Sequence, residues 1–292
     1  MSTEVHEEII TVINKTYPEW SKHNGWLVCV GGINDNGEWR RLYPVPLDLW
    51  WWPVYKQMAF KKWDKIKVII RKRPVNKDPR KESHEIVKPF EIEIVESLKN
   101  MNDRRDLITP FLSSDMETLK DSRYNDKHRG LWTSMGVIKP RKIIDFKMKQ
   151  RHQIHEEAYK QVADVQMRMS IKPGTPLPVR PDSIGKWLGY KFECQNPECR
   201  GHEMMCNDWE VCELYRKMIE KFGEDEGFQK TRDKMMWMAE RDLHLMMGTV
   251  ALQWATFINV GVFYPPLMEV TEKQGQKHRK KKPFLGGHSN PC

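Results

Sequence analysis

Three cysteines and one histidine, Cys194, Cys199, His202 and Cys206, fall within thirteen residues, spaced C-x4-C-x2-H-x3-C. Thiolate and imidazole are the donors that tetrahedral zinc prefers. Pro197 and Gly201 sit where the chain must turn to bring such donors together. The run therefore predicts a metal held by Cys194, Cys199, His202 and Cys206, with Cys212 as the competing fourth ligand. A closed four-ligand zinc would be structural and would fold a loop with little core of its own. Two other readings stay open. An iron–sulfur cluster could use the same sulfur-rich set. A three-ligand zinc that kept a water would be a Lewis acid, with Glu203 or Glu210 as a base.

Other chemistry is poorly supported. Asp208 and Glu210 follow the ligands directly, and they suit a helix N-cap and its first turn. There is no Walker loop, dinucleotide glycine fingerprint, GxSxG or HExxH sequence.

The chain of 292 residues carries a net charge of +9. That balance favours polyanionic partners, nucleic acid above all. From Lys61 to Lys81 there are ten Lys or Arg against two Asp. Twelve tryptophans accompany the charge, as stacking on bases would require. The candidate nucleic-acid contacts are Trp39, Arg40, Arg41, Trp50, Trp52, Lys61, Lys62, Lys65 and Lys67. Trp50-Trp51-Trp52 could equally plug a barrel end. The stretch Asp78-Pro-Arg-Lys-Glu-Ser83 suits a solvated loop better than a site. No apolar run approaches the roughly 18 residues of a membrane helix. The N-terminus is acidic and unlike a secretory signal, so a cytoplasmic location is expected, with no membrane partner.

The elements that position these residues follow from patterning. Val5, Ile9, Val12 and Ile13 have helical spacing, which predicts an N-terminal helix over residues 1–15. Trp26–Ile33, the turn Asn34–Gly37 and Glu38–Tyr43 form a hairpin. Strands are expected at 65–72, at 85–95 around Pro89, at 136–140 and at 142–148. Helices are expected over 208–222 and 228–246, and a strand over 254–264.

Several runs taken together resemble a known group. They are Thr16-Tyr-Pro18, Cys29-Val-Gly-Gly-Ile33, Gly37-Glu-Trp-Arg-Arg-Leu-Tyr-Pro-Val-Pro46, Phe60-Lys-Lys-Trp63 and Ser134-Met-Gly-Val-Ile-Lys-Pro140. Cys194 to His202, Asp208-Trp-Glu210 and Gly261-Val-Phe-Tyr-Pro265 complete the set. The chain resembles a family of largely uncharacterised prokaryotic proteins with a dual OB-fold-like N-terminal region and a C-terminal Cys/His metal-binding part. The resemblance implies small β-barrels plus a metal module, and no activity.

The expected fold is mainly β with α (α+β). One or two small OB-like barrels occupy 16–148, a helical, Pro-rich linker 149–185, a metal-binding α+β module 186–268 and a disordered basic tail 269–292. The leading functional expectation is a nucleic-acid-binding protein with a structural zinc module. It would serve in a larger prokaryotic nucleic-acid-processing, mobile-element or defence assembly with protein partners. A metal-dependent hydrolase or nuclease is the second reading, and a protein-interaction scaffold the third.

Overall fold

The computed structural model describes residues 4–21, 25–51, 53–127, 133–150, 184–249 and 256–267. Trp52, most of the expected linker and the expected tail lie outside them. Seven strands occupy the N-terminal third: β1 (Val5–Lys15), β2 (Glu19–Ser21), β3 (Gly25–Asn34), β4 (Trp39–Pro46), β5 (Asp64–Lys72), β6 (Ser83–Ile86) and β7 (Glu93–Ser97), with a short α1 (Asp48–Trp51) between β4 and β5. Five of them close into a barrel in the order β1-β3-β4-β6-β5-β1. Every pair in that circuit is antiparallel except β4 with β6. This is the OB-like barrel that the turn and strand pattern implies. Strand β5 shows why it closes: Ile66, Val68 and Ile70 point inward while Lys65, Lys67 and Ile69 alternate outward. The inward set meets Ile10, Val12, Val28, Val30, Leu42, Val45 and Phe60 in one core. At the β3–β4 turn Gly37 takes φ 74°, a left-handed angle that glycine adopts at no steric cost.

Four helices and seven strands follow: α2 (Met101–Ile108), β8 (Leu112–Ser113), α3 (Met116–Lys127), β9 (Met135–Ile138), β10 (Lys142–Gln150), β11 (Lys186–Glu193), β12 (His202–Met205), α4 (Trp209–Phe222), α5 (Glu224–Ala239), β13 (His244–Thr249) and β14 (Phe257–Phe263). They build two open sheets, β14-β13-β9-β8 and β10-β11-β12. An isolated bridge, Cys206 with Asn259, links them. Among the described residues there is thus one closed barrel, not two. The two sheets share a core of Phe146, Leu188, Tyr190, Phe192, Leu245 and Met247, covered by Val211, Tyr215 and Met235 of α4 and α5. No described helix is long and apolar enough to cross a membrane.

Three expectations need correction. Residues 5–15 are a strand, not a helix. Six of these eleven residues are β-branched, which favours a pleated surface over a helix. From Ile10 onward β1 is buried on both faces, so its apolar residues do not alternate. The expected strand over 85–95 is two strands, β6 and β7, split by the turn at Pro89 and paired with opposite ends of β5. The expected helix over 228–246 stops at Ala239, and Leu243–Met247 is buried within or beside the central strand β13. A short apolar run cannot by itself separate a buried helix from a buried strand.

The barrel and the second unit are locked together. Ile13, Ile33, Trp39 and Trp63 pack against Met135, Val137, Met246, Val260 and Phe263. Three polar clasps surround that seam. Lys62 Nζ donates to Asp208 Oδ2 (3.0 Å), Glu210 Oε2 (2.9 Å) and the Val262 carbonyl (3.0 Å). Arg105 donates to Asp242 Oδ2 (2.9 Å) and the Pro266 carbonyl (2.9 Å). Arg80 donates to the Thr249 carbonyl (3.2 Å), while Glu82 accepts the Ser134 backbone N–H (2.6 Å) and its hydroxyl. The stretch from Asp78 to Ser83 is therefore no solvated loop. Asp78, Arg80, Glu82 and Ser83 are all buried, with Arg41, Arg80 and Ser83 converging on the Asp78 carboxylate.

Two predictions test these buried polar groups, one at the seam and one in the barrel. Lys62→Met leaves the buried Asp208 carboxylate without its cation and should lower stability by about 3–5 kcal/mol in urea unfolding; a loss within about 0.5 kcal/mol would contradict the clasp. Burial holds the His84 imidazole neutral and pushes its pKa down to about 4 from 6.5. The unfolded chain binds that proton first, so stability should fall as pH drops from 6.5 towards 4, by up to about 3 kcal/mol. His84→Gln should flatten that part of the pH profile, and an unchanged slope would show that His84 does not set it.

Candidate metal centre

The centre sits on the hairpin between β11 and β12. Cys194 follows the last residue of β11 and is fully buried. Asn196 accepts the Glu198 and Cys199 backbone N–H groups, which folds the turn at Pro197. Gly201, at φ 96°, reverses the chain so that His202 opens β12 opposite Phe192. The ligand atoms of Cys194, Cys199 and His202 all lie within 4.8 Å of one another. His202 Nε2 is 3.2 Å from Cys199 Sγ and 3.4 Å from Cys194 Sγ. Metal–ligand bonds of 2.0–2.3 Å at tetrahedral angles put sulfur and nitrogen about 3.5 Å apart, so the group fits one ion.

The surroundings suit ligation. The backbone N–H groups of Cys194 and Gly201 each point at Cys199 Sγ at 3.4 Å and hold the sulfur in place. Burial lowers the His202 pKa and so favours the neutral imidazole that binds metal. Burial also raises the Cys194 thiol, so the sulfur needs an ion to lose its proton readily. The His202 ring leans on Phe192, 5.3 Å between centroids. From α3, Glu117 brings its carboxylate to 3.5 Å from Cys194 Sγ and 3.7 Å from His202 Nε2. Its distance in sequence hides this residue, and no spacing rule would have found it.

Cys206 is not in the cluster. Four residues along an extended strand carry it about 13 Å beyond His202. It is buried instead against β14, with its thiol on Asn259 Oδ1 at 3.2 Å. Cys212 lies within α4, its sulfur 3.9 Å from the Cys206 carbonyl, and is no fourth ligand either. The carboxylates expected as bases are also engaged elsewhere. Glu203 pairs with Lys147 and Lys149. Glu210 pairs with Lys62. Asp208 is the N-cap of α4, accepting the Glu210 (2.8 Å) and Val211 (3.1 Å) backbone N–H groups.

The expected nucleic-acid contacts are mostly spent inside the protein. Trp39 is buried against Phe111. Arg40 is held by Glu8 and Glu38, both at 2.7 Å, and Arg41 by Asp78 at 3.2 Å. Lys62 is the buried clasp described above. Lys65 faces Glu96 (3.4 Å) and Lys67 faces Glu93 (2.7 Å), because β7 lies beside β5 in that register. Lys61 is exposed. Trp50 serves as a plug: it donates to the Phe60 carbonyl (2.8 Å) and packs on Trp209. Between these two indoles lies Lys15 Nζ, 4.8 and 4.7 Å from the ring centres, its pKa pushed down to about 8 by burial. Trp52 lies outside the described residues.

A different surface combines aromatic and basic groups. On the outer face of β10-β11-β12, Lys147 pairs in register with Gly189 and Lys149 with Trp187. The Trp187 ring lies across Gly189, where a Cβ would come within 2.4 Å of it. Lys149 Nζ stands 5.3 Å from the centre of that ring. Lys191 continues the same face.

Comparison with known families divides the chain where the structure does. Residues 6–110 match one domain of unknown function, DUF8758, which spans the barrel and α2. Residues 113–283 match a second, DUF8757, which begins at β8 and contains the Cys194, Cys199 and His202 cluster. No curated protein matches the chain. With more than half of its residues covered by that second match, the chain belongs to the family defined by the domain of unknown function DUF8757, here joined to a DUF8758 barrel.

Proposed function

We propose that this is a nucleic-acid-binding protein whose C-terminal unit is organised by a zinc ion at Cys194, Cys199 and His202. Its binding surface is the outer face of β10-β11-β12. The observation that supports this reading is the Trp187 indole lying across Gly189 with Lys147, Lys149 and Lys191 on the same face. An indole face stacks on any unpaired base, and flanking ammonium groups meet the backbone phosphates. Glu203 holds Lys147 and Lys149 in the free protein, and a phosphate would replace it as their partner. Zinc fits better than an iron–sulfur cluster, because donors gathered round a single point suit one ion, whose fourth position another donor can fill, whereas a cluster spreads its four protein ligands over several irons. The ion would fix the hairpin that joins β11 to β12 and so hold the face in shape.

Elemental analysis should find one zinc per chain in the wild type and in Cys206→Ser, and none in Cys194→Ser or Cys199→Ser. Unchanged zinc in Cys194→Ser would contradict the assignment. Binding should be measured by anisotropy with labelled single-stranded DNA and RNA across a salt series. Trp187→Ala should weaken binding by about 1–3 kcal/mol. Lys149→Glu should weaken it further at low salt than at high salt. Wild-type affinity in both variants, or binding indifferent to salt, would overturn the reading.

A further inference from the structure

We infer that Glu117 is the fourth ligand of the metal, making a site of two thiolates, one imidazole and one carboxylate. The inference rests on the metal reading of the hairpin and is independent of nucleic-acid binding. Four donor groups must sit at the corners of a tetrahedron whose edges, for zinc, run about 3.3–3.8 Å. The edges from His202 Nε2 to Cys199 and Cys194 are 3.2 and 3.4 Å. From the Glu117 carboxylate, Oε2 lies 3.5 Å from Cys194 Sγ and Oε1 lies 3.7 Å from His202 Nε2. The carboxylate thus stands beside two of the three donors, and rotation of its half-exposed side chain would bring one oxygen to the fourth corner.

Its position is fixed by the fold. Asp115 caps α3 through the Thr118 N–H at 2.6 Å. Met116 and Leu119, on either side of Glu117, are buried in the core that contains Cys194. Leu119 lies so close over Gly136 that a Cβ there would meet it at 2.5 Å, which seats the helix tightly on β9. Among the described residues, the Glu117 carboxylate touches no lysine or arginine, and its polar contacts are with two ligand side chains. Cys194 donates its S–H to Glu117. Binding would expel that proton and put the ion between the two groups. The metal would then staple the β11–β12 hairpin to α3, two elements far apart in sequence.

The test uses the full chain, with zinc affinity measured by competition against a chromophoric chelator and with zinc-edge X-ray absorption on the loaded wild type. Glu117→Gln should bind at least about tenfold more weakly, with unchanged far-ultraviolet circular dichroism. The absorption spectrum should fit two sulfur and two nitrogen or oxygen neighbours. A wild type that binds zinc while Glu117→Gln binds it equally well would overturn the inference and leave the hairpin site standing. Three sulfur neighbours would overturn it too. A wild type that binds no zinc would remove both the site and its fourth ligand.

Discussion

One buried carboxylate, that of Asp208, joins the parts of this protein. Its Oδ1 accepts the Glu210 and Val211 N–H groups in the first turn of α4. Its Oδ2 accepts the Lys62 ammonium and the Val262 N–H, each at 3.0 Å. The same residue bridges to Thr16, just beyond β1. Helix start, last strand and barrel are therefore tied at one point, and none of the three can shift without exposing a charge in a dry place. Burial works against the Lys62 ammonium, but Asp208 and Glu210 outweigh it and raise its pKa, so the cation persists.

That tie explains why two separately recognisable domains form one body. Strand β1 serves both: Ile10 and Val12 fill the barrel, and Ile13 turns into the seam with β14. Basic residues that would otherwise solvate the barrel are drawn inward to meet backbone carbonyls and carboxylates of the second unit. On the far sheet, next to the hairpin of the candidate metal centre, Lys147 and Lys149 stay beside the Trp187 indole.

Local chemistry was legible in the sequence, and distant partnership was not. The β3–β4 hairpin follows from Asn34–Gly37 and its flanking alternation, and the α4 cap from Asp208 itself. The grouping of Cys194, Cys199 and His202 follows from spacing because one hairpin carries them all. Cys206 misleads because sequence nearness does not measure distance along an extended strand. Lys62 and Arg80 look like surface charges, since their partners lie 146 and 169 residues away. Glu117 is hidden for the same reason, 77 residues before Cys194. The β1 strand is missed because burial on both faces erases the period-two signal.

A metal in the β11–β12 hairpin is the point on which the second unit's reading turns. An anomalous difference map at the zinc edge, from crystals of the full chain, tests it most directly. One peak is expected, bonded to Cys194 Sγ, Cys199 Sγ and His202 Nε2 at about 2.0–2.3 Å. A peak beside Cys206 and Cys212 instead, or no peak at all with Cys194 and Cys199 joined as a disulfide, would contradict it.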